Sequence, residues 1–87
     1  MRNLSNIQPE AFLDVTADTC PMTFVRTRLA LERLTEGAVL AVRLRGVEPR
    51  DSVPRMAAAQ GHTILDRRED PEYPEGLWVL IRRGPRA

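Results

Sequence analysis

An 87-residue chain with 43% apolar content and a formal charge of +1 is one small globular domain, able to bury only about 60% of its unfolded surface. Its single cysteine excludes an internal disulfide and suggests a reducing compartment, and one cysteine with one histidine cannot supply a usual zinc ligand set. All 13 basic residues are arginine and are scattered, with a pI near 8.0, which argues against a nucleic-acid footprint; no apolar run reaches the length of a membrane span.

Residues 1–11 are polar, carry Pro9 and read as a lead-in tail to a domain over 12–84. The first ten lack a basic-then-apolar signal pattern, so the chain is read as cytoplasmic. Residues 12–16 (FLDVT) predict a short strand bounded by a turn at 17–19. Cys20 and Pro21 follow, and residues 21–35 predict a helix with Gly37 placed for a left-handed cap. Phe24, Leu31 and Leu34 form one stripe of that helix, with Thr27 between them. Met22, Val25 and Leu29 form a second stripe on nearly the opposite side, which reads either as a flank of the core or as a docking surface.

Residues 38–44 (AVLAVRL) are the clearest strand, with Leu40, Val42 and Leu44 on one face. A loop over 46–51 leads to a second helix over 52–60, with Ser52 as N-cap, Pro54 in the first turn and Gly61 as the stop. Residues 63–67 and 77–83 predict two more strands. Their link, 68–76, holds Pro71, Pro74 and Gly76 and reads as a mobile loop, too long for a tight turn. The order β-α-β-α-β-β predicts a two-layer sandwich in the α+β class, with both helices on one face of a mixed four-stranded sheet.

The chemistry points to Cys20. A thiol at a helix start faces backbone N–H groups without intrahelical partners and the positive end of the helix dipole, and both favour the reactive thiolate. Pro21 suits the first helical position, because the N–H it lacks would be unpaired there. The N–H groups of Met22 and Thr23, and the Thr23 hydroxyl, are the expected donors to the sulfur, whereas Asp18 disfavours thiolate. The alternative is a buried, inert thiol. Asp14 is expected to bond the loop backbone, and Arg26, Met22 and Val25 to meet a partner. His62 reads as a cap at a helix end or a proton shuttle, and Trp78 as a partner contact or the cover of a sheet edge.

Leu13-Asp14, Cys20-Pro21 opening a helix, Gly37-Ala38-Val39-Leu40 opening a strand, Val53-Pro54, Gly61-His62 and the terminal Leu80-Ile81-Arg82 occur in an order and spacing that resembles the TusA/SirA-type sulfur-carrier family. The resemblance implies the same sandwich, similar in shape to the C-terminal domain of bacterial initiation factor three. It also implies a Cys20 that accepts sulfane sulfur as a persulfide from a donor protein of cysteine desulfurase or rhodanese type and passes it to an acceptor protein, with no cofactor or metal. Pathways of this kind include tRNA thiolation, molybdenum-cofactor maturation and sulfur oxidation. The family's Cys-Pro-x-Pro is here Cys20-Pro21-Met22-Thr23, its Arg-Gly before the cysteine is Thr16-Ala17, and its acid-and-proline turn is Val47-Glu48-Pro49. A non-catalytic interaction module that keeps the fold is the alternative, with RNA binding third.

Overall fold

In the computed structural model the elements run β1 (Ala11–Asp14), α1 (Met22–Glu32), β2 (Val39–Arg45), α2 (Val47–Ala59), β3 (Thr63–Glu69) and β4 (Gly76–Arg82). The structure describes residues 8–19 and 22–85. The sheet order is β1-β2-β4-β3; β1 lies parallel to β2, and the other two pairings are antiparallel. This is the expected β-α-β-α-β-β mixed-sheet sandwich.

Strand alternation decides which face meets the helices. Leu40, Val42 and Leu44 of β2 stand opposite Ile81, Val79 and Leu77 of β4, and all are buried with Val15, Leu31, Val53 and Ala57. Each Val, Leu or Ile side chain among them contributes about 1.5–3 kcal/mol when fully buried. From α1 the buried positions are Thr23, Thr27 and Leu31, while Phe24, Ala30 and Leu34 are half-buried against the same cluster. The core-facing ridge is thus shifted from the expected Phe24 stripe toward Thr23, because a small side chain lets the helix approach the sheet. Arg83, buried at 8% exposure, donates from one Nη to the carbonyls of Leu31 and Leu34, each at 2.7 Å, and so closes the C-terminal end of α1.

Several expectations are corrected. Helix α2 starts at Val47, five residues earlier than the sequence suggested, with Gly46 (φ 116°) before it. Pro49 falls in the first turn, where a missing N–H costs nothing. Pro54 lies in the interior and leaves the Arg50 carbonyl without its helical donor; an Arg67 Nη supplies one at 3.1 Å. Ser52 is consequently not an N-cap, and its hydroxyl donates back to the Glu48 carbonyl at 2.6 Å.

The link between β3 and β4 is pinned down. Asp70 is buried, its N–H donates to the Gly76 carbonyl at 3.0 Å, and a carboxylate oxygen accepts from the Glu72 N–H at 2.9 Å. A Cβ at Gly76 would lie 2.8 Å from that of Asp70 and 2.9 Å from that of Tyr73, so the turn closes this tightly only on glycine. Finally, Trp78 lies on β4, an interior strand, and covers no edge. At the other end of α2, Gly61 (φ 93°) is the expected left-handed stop, and the His62 N–H reaches back to the Ala57 carbonyl at 3.0 Å.

Candidate functional site

The segment that carries the cysteine is fastened on both sides. At its start the Val15 N–H donates to the Arg43 carbonyl of β2 at 3.0 Å, and the Val15 side chain is buried. One Asp14 oxygen then accepts from the Thr16 N–H (2.9 Å) and the Thr16 hydroxyl (2.6 Å). These two bonds hold the Asp14 carboxyl below its ordinary pKa, so at neutral pH it is an acceptor that orders the turn and has no proton to give. The Asp18 N–H closes the turn on the Val15 carbonyl at 3.1 Å.

At its far end the Thr23 N–H donates to the Thr19 carbonyl at 3.3 Å. This is a bond of the i to i−4 helical type, made at the first turn of α1. Cys20 and Pro21 themselves lie outside the described residues. The Thr23 N–H, expected to face the sulfur, is committed to Thr19. Thr23 is buried at 1% exposure, and its hydroxyl has no hydrogen-bond partner among the described residues. Asp18 is ion-paired with Arg26, so the charge expected to oppose a thiolate is matched by a cation one turn into the helix.

The second stripe of α1 is open to solvent: Met22, Val25 and Leu29 are 48%, 43% and 49% exposed. Arg26, expected to meet a partner together with Met22 and Val25, borders this stripe while holding Asp18. His62 belongs elsewhere. Its Nδ1 accepts the Gly84 N–H at 3.0 Å, and it lines a cavity of about 600 Å³ that includes Arg28, Glu32 and Arg83 and none of the residues on the cysteine loop. Burial and the nearby Arg83 lower its pKa, leaving the neutral ring that this acceptor role requires. Among the described residues no group of three His, Cys, Asp or Glu side chains could hold a metal, and no helix is long and apolar enough to cross a membrane.

A second cluster, missed from sequence, lies where β2 ends. Arg43 is held by Asp70 through two of its nitrogens, the longer contact being 3.2 Å, and also by Glu72. These bonds lower the Asp70 pKa and raise that of Arg43, so both groups stay charged. The Tyr73 ring takes the Arg43 guanidinium at 4.7 Å from its centroid and that of Arg45 at 4.9 Å, while Trp78 takes Arg43 at 5.4 Å. The available signal was two arginines alternating on an otherwise apolar strand, which demand acidic or aromatic neighbours. Beside the cluster a cleft of about 330 Å³ is lined by Asp18, Thr19, Arg45, Glu48 and Pro49.

The family model described as sulfurtransferase TusA matches residues 11–83. A proposed sulfur carrier protein of Archaeoglobus fulgidus is 34% identical over 59 residues, covering 68% of this chain and 67% of its own. The proposed sulfur carrier YedF of Escherichia coli K12 is 31% identical over 67 residues, covering 77% and 87% respectively. The crystal structure of a SirA-like protein from Desulfitobacterium hafniense superposes with a TM-score of 0.72 at 25% identity, covering 86% of this chain and 99% of that one. A match across nearly the whole sandwich makes this chain a member of the TusA/SirA family of sulfur carriers.

Proposed function

We propose that this protein carries sulfane sulfur as a persulfide on Cys20 and relays it between two partner proteins. The observation that carries this reading is the family match through residues 11–83, a span whose one cysteine falls in the sequence between the pinned turn after β1 and the start of α1. In the loading step the Cys20 thiolate attacks the outer sulfur of a donor persulfide. A new S–S bond forms on Cys20 as the donor's own S–S bond breaks, and the donor departs as a thiolate. In the unloading step an acceptor thiolate attacks the outer sulfur in the same way, and Cys20 leaves as thiolate.

Such chemistry asks little of the carrier beyond an ionisable thiol and surfaces for its partners. The Arg26–Asp18 pair offsets the charge of a carboxylate that stands two residues before Cys20 in the chain. The open Met22–Val25–Leu29 stripe, with Arg26 at its border, is the surface proposed for donor and acceptor. The test is incubation with a bacterial cysteine desulfurase and ³⁵S-cysteine. Label retained on the protein, released by reductant and absent from Cys20→Ser, is the expected result. Protein that stays unlabelled while the desulfurase turns over would overturn the reading and favour an interaction module that kept the fold.

A further inference from the structure

We propose that Arg45, held against Tyr73, is the anchor for an acidic side chain on the protein that exchanges sulfur with Cys20, received in the cleft between residues 18–19 and the corner where β2 meets α2. The inference rests on the sulfur-carrier reading and names the chemistry of the partner.

The charges around the cleft account for themselves with one exception. Asp18 is matched by Arg26. Glu48 stands in the first turn of α2, where the helix dipole favours a carboxylate. Arg43, two residues before Arg45 on the same face of β2, is saturated by Asp70 and Glu72. Arg45 has the Tyr73 ring as its neighbour at 4.9 Å, and no ion pair among the described residues engages it. Its exposed guanidinium is therefore restrained by stacking while its donor edge stays open. An arginine in that state loses little further freedom on taking a carboxylate in two parallel hydrogen bonds.

The support beneath Arg45 is rigid. Tyr73 is half-buried between two guanidinium groups, its carbonyl accepts the Gly76 N–H at 3.0 Å, and the loop is tied to buried Asp70. The Gly46 N–H also donates to the Glu75 carbonyl at 3.1 Å, joining that loop to the β2–α2 corner. The lining of the cleft includes Thr19, the residue before Cys20 in the chain. A partner that enters the cleft thus arrives at the segment bearing the thiol, with Arg45 placed to take an acid on the way in.

The experiment uses thiol–disulfide exchange at Cys20 with two short cystine peptides, one flanked by glutamate and one by lysine. The ratio of the two rates cancels the thiolate fraction of Cys20. At low ionic strength the wild-type protein is expected to exchange about threefold or more faster with the glutamate peptide. Arg45→Gln is expected to abolish that preference, Arg45→Lys to retain part of it, and Arg55→Gln, whose partner is Asp51, to leave it unchanged. A wild-type ratio near one, a ratio unmoved by Arg45→Gln, or a Cys20 that exchanges with neither peptide would overturn the proposal. Acceptance of ³⁵S without any charge preference would sink the anchor and leave the carrier reading standing. A charge preference without ³⁵S acceptance would support the anchor and sink the carrier reading.

Discussion

Replacing Thr23 with valine removes the one buried hydroxyl on α1 that has no hydrogen-bond partner among the described residues and keeps the shape of the side chain. An unsatisfied buried donor or acceptor costs about 1–3 kcal/mol. Valine and threonine differ little in intrinsic helix propensity, so the desolvation cost should dominate. Thr23→Val is therefore expected to stabilise the domain by about 1 kcal/mol or more. A protein of this size responds with a rise in Tm of about 4–8 °C per kcal/mol. Thr27 supplies the control one turn along: its hydroxyl donates to the Thr23 carbonyl at 2.8 Å, also in the interior. Thr27→Val removes a bond that is made, and is expected to destabilise by about 0.5–1.5 kcal/mol. Urea unfolding followed by Trp78 fluorescence measures both. Equal effects at the two positions, or a loss of stability in Thr23→Val, would refute the reasoning that the unpaired hydroxyl is a cost.

Gly84→Ala should destabilise by about 1–3 kcal/mol, because a Cβ there would stand 1.9 Å from the Gly61 carbonyl oxygen and the backbone must move; thermal unfolding reads this as a lower Tm. His62 makes stability depend on pH. Its folded-state pKa lies below its ordinary value of 6.5, so the unfolded chain takes up the proton first as pH falls. Its contribution is present above that ordinary value and is lost on acidification below it, as the Gly84 N–H loses its acceptor. The urea midpoint should therefore drop between pH 7 and pH 5 in the wild type and drop less in His62→Gln.

Contacts between near neighbours in the chain were readable before any coordinates. The alternation in β2 gave its buried face, Asp14 and Thr16 are two residues apart, and Cys20 draws notice from adjacent Pro21 alone. The early start of α2 was hidden because Pro49 and Pro54 look like helix breakers. Only the first-turn placement of one, and the donation from Arg67 to the carbonyl freed by the other, reconcile them with a helix. The Arg43–Asp70 pair joins residues 27 apart, and Tyr73 meets Arg45 across a similar gap. Periodicity carries no information about such pairs, so the link over 68–76 read as loose when it is one of the more firmly tied segments. Thr23 was missed as a core residue for a related reason. Its hydroxyl read as a donor to the Cys20 sulfur, whereas the Thr23 side chain is buried in the helix–sheet contact.

Mass mapping of the protein after reaction with a cysteine desulfurase and cysteine tests the central claim most directly. The account predicts a gain of one sulfur atom, confined to the peptide containing Cys20, reversed by reductant and missing from Cys20→Ser. An unchanged mass at Cys20 beside an active desulfurase would contradict it.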